Sequence, residues 1–592
     1  MQVIKRDGTL EEFSSDKIYK AILSALKATT KFEIPKRTLT EIRKFANTFG
    51  YSKDDLSVEF IQDSIEKWLM TKGWFNTARA YILYREEHKK ARLIRDKIKY
   101  IHTYSSSNKT ATNLSNTDDN ANSSQKNVAS LESEVYKDIN RIIQRNEMKS
   151  LLAEINSPYK DDYIRDIEHH IIYPHDEASS PVQKPYCSAY TLYPLLVDGT
   201  TNVDGTRNHA PKHLSSFCGQ FQNLVFLLSA QKKGAGAYGE FFNFFDYFCR
   251  KEWGDKYYEK EDAIITSDHC LEKRTIGQTI DQYFQSITHY INQPAQNRGY
   301  QSPFTNFNVF DFYYWHSLFD DFIFPDGSRP IWESVSWLQR RYMKWLNKER
   351  TQTLLTFPVM TVCLLTEDND VKDKEYKDFV TTQWAEGDSF FVYLSDNADS
   401  VSSCCRLRNE ITDNTFSSTT GMTGVQTGSC NVITLNLNRI IQDWARMMGA
   451  TDRDKAQVLY KELMKGTSLE DYLKSILSRV YEYQRAYKTG LYKLSDKGML
   501  PQTKAGYISL DRLYCTIGVN GHNEAARFLG MEVSDNKDYM DFITYIFSTI
   551  NEYNKYNSSK KFMFNLEIVP AESLGVKNYN WDKKDGLEPM PI

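Results

Sequence analysis

What most constrains this chain is a break in its composition. From Thr103 to Ser130 the sequence is Ser, Asn, Thr and Asp with almost no large apolar residue. Such a stretch cannot bury enough surface to offset the entropy of ordering it, so it reads as a linker. It divides the 592 residues into a short charged region, 1–95, a polar linker, 96–132, and a large region, 133–592. The length exceeds one ordinary domain. Hydrophobic residues at 41% and aromatics at 14% supply a large core.

The first region is helical in pattern. Ile18, Ile22, Ala25 and Leu26 have the spacing of one helix face, with Ser14 or Ser15 as its cap. Val58, Ile61, Ile65 and Leu69 mark a second helix, and Ala78, Ile82 and Arg85 a third that runs into the charged stretch Arg85 to Arg95. Beyond the linker, apolar strand-like runs recur at Ala189–Val197, Thr353–Leu365, Phe390–Leu394 and Val432–Leu437. Helical stretches such as Ile440–Met448 and Leu469–Tyr487 lie between them. This alternation predicts an α/β architecture, and pattern alone does not choose a barrel over an open sheet.

Several function classes drop out. A net charge of -3 argues against binding a nucleic-acid polymer, which needs a basic face. No apolar run approaches the roughly 18 residues of a membrane span, and Met1 to Thr9 is charged rather than signal-like. A soluble, cytoplasmic protein is the expectation. The nine cysteines, at 187, 218, 249, 270, 363, 404, 405, 430 and 515, are odd in number and contain no Cys-x-x-Cys pair. That argues against a secreted disulfide framework and against a tetrathiolate zinc site, so no metal site is expected here. Most of these cysteines read as small buried hydrophobes.

The N-terminus reads Val3-Ile4-Lys5-Arg6-Asp7-Gly8-Thr9, then Glu11, Glu12, Phe13 and Lys17-Ile18. Asp-Gly suits a hairpin turn between two short strands. Lys5, Arg6 and Lys17 then gather near a strand end and a helix start, as a triphosphate cradle would, or as a solvated basic rim. The full string resembles the ATP-cone of ribonucleotide reductases and their repressors. The likeness runs to about Arg92, with Ala80 to Arg85 matching the cone's last helix. It implies binding of ATP or dATP as allosteric effectors, with Lys5, Arg6 and Lys17 at the phosphates, Asp7 in the same turn and Glu11 near the nucleoside. A repressor would add a zinc ribbon of paired cysteines, and no cysteine precedes 187.

Four segments of the large region resemble anaerobic, glycyl-radical (class III) ribonucleotide reductases, in that family's order. They are His175-Asp176 with Pro185 to Tyr190, Leu195-Leu196 and Gly199; Asn292 to Pro294 with Arg298 to Asn306; Ser403 to Leu407 with Val432 to Ile440; and Val569 to Leu574. The resemblance implies a ten-stranded α/β barrel with a finger loop carrying a cysteine to its centre. By that likeness Cys405 is the thiyl cysteine that takes the ribose 3′ hydrogen, and Cys187 donates to the departing 2′-hydroxyl. A thiol suits such a relay because its S–H bond and a ribose C–H bond are comparable in strength. Gln301, Ser302 and Asn436 become substrate-binding candidates, although they and Asn292 equally suit strand ends that need backbone partners. Glu572 is either a substrate carboxylate or a structural one. Gln231 to Ala237 falls where the family has its dimer interface and specificity site, and equally suits a surface turn.

Two departures shape the remaining expectations. Formate-using members carry an asparagine before the Val-x-Thr-Leu-Asn-Leu strand, where this chain has Ser429 beside Cys430. The reductant is therefore formate, or a dithiol system involving Cys430. The family continues to a four-cysteine zinc site and a glycyl-radical loop, and neither motif occurs up to Ile592. The expectation is a glycyl radical supplied by a missing segment or a separate chain. The other expected partners are a ribonucleotide, a second copy of the chain and a radical S-adenosylmethionine iron–sulfur activase. The reading is allosterically regulated anaerobic ribonucleotide reduction. Its alternatives are a nucleotide-binding regulatory fragment and another glycyl-radical enzyme, such as a formate-lyase-like acyltransferase.

Overall fold

The computed structural model describes residues 2–4, 10–30, 32–51, 56–106, 127–201, 207–265, 273–294, 301–396, 398, 400–403, 407–410, 426–450, 452–463, 468–569 and 574–590. They fall into two compact units, Met1–Asn108 and Lys109–Ile592. Among the described residues no helix is long and apolar enough to cross a membrane.

In the first unit, β1 (Gln2–Ile4) pairs antiparallel with β2 (Leu10–Glu12), Ile4 opposite Leu10, as the Asp-Gly turn leads one to expect. The turn itself lies outside the described residues. Helix α1 (Ser15–Thr29) buries Ile18, Ile22, Ala25 and Leu26, the four residues of the expected face. Helix α2 (Lys36–Thr48) adds Ile42 and Ala46. Next, β3 (Leu56–Ser57) joins β1 in parallel and leads into α3 (Val58–Thr71), where Ser57 caps by accepting the Phe60 N–H at 3.1 Å. Ile61, Ile65 and Leu69 of α3 and Ala78 and Tyr81 of α4 (Phe75–Ser106) complete this core. Arg85 of α4 ties to α3 through Glu59, Asp63 and Glu66.

Helices reach into both ends of the stretch 96–132. Helix α4 runs past residue 95 to Ser106, and α5 (Val128–Glu154) begins before residue 133. Good helix formers carry α4 onward, and Asn127 starts α5 by accepting the Ser130 N–H at 2.8 Å. The polar stretch between them lies outside the described residues.

The second unit is built on a ten-stranded mixed sheet. Strands β4 (Ile172–Pro174), β5 (Cys187–Ala189), β6 (Gly236–Ala237), β7 (Thr305–Phe310), β8 (Val359–Glu367), β9 (Asp370–Val371) and β10 (Phe390–Ser395) come first. Outside the main sheet, β11 (Ser400–Ser403) and β12 (Leu407–Glu410) form a separate antiparallel pair. Strands β13 (Gly428–Asn436), β14 (Leu513–Asn520) and β15 (Met563–Ile568) then complete the main sheet. Strands β5, β6, β7, β8 and β10 pair parallel in that order, with β9 antiparallel to β8. So are β13, β14 and β15. The two sets meet antiparallel where β5 pairs with β13, and β4 pairs with β13 further along the same edge. Among the described residues the sheet is an open path, without a ladder between β10 and β15.

Apolar helices cover one face. Phe221 of α6 (Leu214–Ala230) and Phe241 of α7 (Phe241–Trp253) pack on β7, where the Phe241 and Phe307 rings stack at 4.3 Å, and Phe217 of α6 packs against both of those helix residues. Helix α8 (Ser468–Asp496) lies over β13 and β14, and α9 (Leu574–Lys584) follows β15. Three expected elements shift. The Ala189–Val197 run is a short strand, β5, followed by a helix over Tyr193–Asp198, with Pro194 near its start. The Thr353–Leu365 strand begins only at Val359, and the Val432–Leu437 strand begins earlier, at Gly428.

Candidate active site

Every residue of β7 and β13 is buried, yet only one face of each is apolar. On β13, Ile433 and Leu435 join the helix-covered core, while Thr434 points the other way. On β7, Phe307 and Val309 join the core, while Asn306 accepts from Thr361 Oγ1 at 3.0 Å and Asn308 reaches Cys363 Sγ at 3.7 Å. Among the described residues, the Nδ2 of Asn306 meets no acceptor. Buried polar groups of this kind call for hydrogen-bond partners, which the apolar face does not.

Cys187 lies on the polar face. It is 4% exposed and packs with Ala235, Tyr186 and Phe304. Its Sγ accepts the Ala235 N–H at 3.3 Å. A Cβ at Gly234 would stand 2.5 Å from that sulfur and 2.9 Å from Tyr186 O, so only glycine lets the loop pass so close. Across the antiparallel seam Cys187 pairs with Ser429. The Ser429 hydroxyl accepts from Thr516 Oγ1 at 2.8 Å and donates to Asn431 O at 2.9 Å. Cys430, next in sequence, turns away. A register shift between Ser429 and Asn431 turns it to the helix-covered side, its Sγ 3.4 Å from Cys515 Sγ.

His175, to which the sequence pattern assigns no role, stands on the polar face. Its N–H donates to Val432 O at 3.1 Å, and its Nε2 lies 2.7 Å from Thr434 Oγ1. Its ring is 5.0 Å from that of Tyr173 and 6.3 Å from that of Tyr186, the neighbour of Cys187. A histidine next to an aspartate is a weak signal alone. Only the pairing of β4 with β13 reveals its place.

The polar substrate candidates separate. Asn436 caps the following helix, its Oδ1 accepting the Arg439 N–H at 3.2 Å and its Nδ2 donating to His170 O at 3.2 Å. Ser302 donates to Asn292 O at 2.6 Å, and Asn292 Oδ1 accepts from the Thr356 and Phe357 N–H groups. Gln301 instead borders a cavity of about 650 Å³, together with Tyr173, Asp176, Lys577 and Trp581. Cys405 and Glu572 lie outside the described residues. The strands flanking Cys405 do pair, Ser403 with Leu407. In the first unit, Lys17 Nζ donates to Glu11 Oε1 at 2.7 Å, while Lys5, Arg6 and Asp7 lie outside the described residues.

A model of the anaerobic ribonucleoside-triphosphate reductase family matches residues 119–587, and a model of the ATP cone domain matches residues 1–90. The chain belongs to the anaerobic ribonucleoside-triphosphate reductase family. Its fold is similar to the anaerobic ribonucleotide reductase of Thermotoga maritima with citrate in the active site, at 26% identity and a TM-score of 0.63, over 79% of this chain and 80% of that one. The same enzyme in complex with dATP and CTP is similar at 27% identity and a TM-score of 0.64, over 79% and 72%. The ribonucleoside-diphosphate reductase subunit alpha of Chlamydia pneumoniae is 34% identical over 102 residues, 16% of this chain and 10% of that protein. The vitamin B12-dependent ribonucleoside-diphosphate reductase of Thermoplasma acidophilum is 35% identical over 102 residues, 15% of this chain and 12% of that protein. The chain thus covers only about a tenth of the length of these two curated relatives.

Gln231 to Ala237 is not a surface turn, since Lys232 and Lys233 are buried at 1% and 2% exposure. Lys233 lies beneath the Cys187 strand, its N–H bonded to Pro185 O and its ammonium 5.2 Å from the Tyr487 ring. Burial pushes its pKa down to about 8, against the pull of the Asp176 and Glu177 carboxylates. Two adjacent lysines ordinarily signal a surface, so their burial was not readable from the sequence. Among the described residues, no cluster of His, Cys, Asp and Glu could hold a metal ion.

Proposed function

We propose that this chain reduces ribonucleoside triphosphates to deoxyribonucleotides by thiyl-radical chemistry, with its N-terminal unit sensing ATP and dATP. The observation that carries the reading is Cys187 on a buried polar strand face, within a region that matches the family over residues 119–587. The 2′-hydroxyl leaves readily only once C3′ carries a radical. Cys405 takes the 3′ hydrogen, its S–H bond being close in strength to the C–H bond it replaces. Cys187 then donates to the departing hydroxyl, which leaves as water, and helps reduce the intermediate. The N–H of Ala235 fixes its sulfur in place.

Of the substrate-binding candidates, Gln301 is the best suited. Ser302 and Asn436 are engaged with backbone, whereas Gln301 borders a nucleotide-sized cavity. Formate is favoured as reductant over a Cys187–Cys430 dithiol, because Cys430 is paired with Cys515 on the helix-covered side. The starting radical resides on a glycine and is generated by a radical S-adenosylmethionine iron–sulfur activase. The working assembly is a homodimer. Lys17 and Glu11 of the N-terminal unit, with Lys5, Arg6 and Asp7, form the effector site.

The test is anaerobic turnover of the activated protein with CTP and formate. Formation of dCTP, altered by ATP and dATP, supports the reading. An activated protein that carries the radical and consumes no ribonucleotide rejects it.

A further inference from the structure

Cys430 and Cys515 are 85 residues apart in sequence, and their sulfurs lie 3.4 Å apart. They sit on neighbouring parallel strands, β13 and β14, and both are fully buried. Cys430 is the extra residue of the register shift between Ser429 and Asn431, and this bulge aims its side chain at Cys515. Lys488 of α8 is buried beside them, its ammonium donating to Leu513 O at 2.7 Å, at the start of Cys515's own strand. The two thiols are electrostatically unequal. Burial, then the neighbouring Cys515, push the Cys430 thiol well above its ordinary value. Burial also acts to raise Cys515, but the Cys430 S–H and the Lys488 charge outweigh it and hold that thiol below its ordinary value. A thiol held below its ordinary value and touching a second thiol is the arrangement in which sulfenic acid condenses to a disulfide.

We infer that Cys430 and Cys515 are a redox-active dithiol that a small hydroperoxide closes to a disulfide, distinct from the cysteines proposed to act on substrate. The Cys515 thiolate attacks the peroxide, so that an S–O bond forms and the O–O bond breaks. With hydrogen peroxide, the leaving oxygen takes a proton and departs as water, and Cys515 becomes the sulfenic acid. The Cys430 sulfur then attacks Cys515, the S–S bond forms and the S–O bond breaks. The Cys430 proton leaves with that oxygen as a second water. Two thiols and one peroxide thus give one disulfide and two waters, and an added dithiol reverses the change.

Closure would draw the sulfurs from 3.4 Å to a bond length of about 2.05 Å. Cys430 moves with β13, next to Ser429, which pairs with Cys187 and accepts the Tyr186 N–H at 3.0 Å. The redox state of the outer pair is therefore coupled to the strand that positions Cys187.

The experiment uses the full chain, purified anaerobically in the reduced state and exposed to a modest excess of hydrogen peroxide. It is then alkylated under denaturing conditions, digested and analysed by mass spectrometry. The expected result is a linked peptide joining Cys430 to Cys515, with loss of both alkyl labels before those of Cys218 and Cys249, which are equally buried. Dithiothreitol restores both labels. The link persists in Cys187→Ser, and in Cys515→Ala the Cys430 label is retained. Three results overturn the inference: Cys430 and Cys515 keep their labels while other cysteines oxidise, they lose them no faster than Cys218 and Cys249, or Cys430 joins Cys187.

Discussion

Cys187 and Ser429 face each other across the antiparallel seam where two oppositely directed sets of parallel strands meet. The seam tolerates little side-chain volume. A Cβ at Gly428 would lie 2.2 Å from Cys187 O, and one at Gly234 would lie 2.5 Å from Cys187 Sγ. Both glycines exist to bring backbone against the strand that carries the thiol.

Gly234→Ala should therefore destabilise the protein by about 1–3 kcal/mol, since the new methyl meets backbone as well as the sulfur. Gly219→Ala is the control. That glycine is in helix α6 with nothing within 4 Å of a new Cβ, so alanine should stabilise by up to about 1 kcal/mol. Urea midpoints of the two variants should move in opposite directions. Equal shifts would mean that the Cys187 loop yields freely.

In the N-terminal unit, Lys17 is held by Glu11 on the strand before α1. Lys17→Ala should weaken ATP or dATP binding by the full-length chain about tenfold or more, because a charge-assisted phosphate contact is lost. Calorimetry gives the affinity directly. An unchanged Kd removes Lys17 from the effector site.

Much of the fold was legible in the sequence because hydrophobic spacing states it openly. The α1 face of Ile18, Ile22, Ala25 and Leu26 is buried as its period requires. The site was legible only in part. A pattern singles out Cys187 as a candidate, but the side taken by Cys430 depends on a bulge that shifts the two-residue alternation, and no local sequence signal marks it. Asn436 and Ser302 resembled ligand-binding residues because caps and binding sites draw on the same polar side chains. The partner of Cys430, and the burial of Lys232 and Lys233, depend on contacts distant in sequence.

Lys233 gives a pH signature. In the unfolded chain a lysine holds its proton to about pH 10.4, whereas burial lowers the folded value to about 8. Between these limits the unfolded state binds more protons, so the contribution of Lys233 to stability rises with pH. The destabilising cost of its buried charge is fully present below pH 8 and fades towards pH 10. Wild type should therefore gain stability relative to Lys233→Met across that window, read from urea denaturation at several pH values. Parallel curves would mean that Lys233 keeps its proton in the fold.

In the proposed reaction Cys405 starts the chemistry and Cys187 acts after it. The most direct test is tritium release from 3′-labelled ribonucleotide, measured beside deoxynucleotide formation in the activated enzyme. Cys405→Ser should abolish both, because a serine O–H is too strong to relay the radical, while substrate still binds. Cys187→Ser should still release 3′ tritium but stall reduction, freeing base or inactivating the enzyme. Cys404→Ser should retain substantial turnover of both kinds. If instead Cys405→Ser reduces substrate normally while Cys404→Ser loses both activities, the radical cysteine has been assigned one residue off, and if none of the three variants loses either activity the thiyl account is wrong.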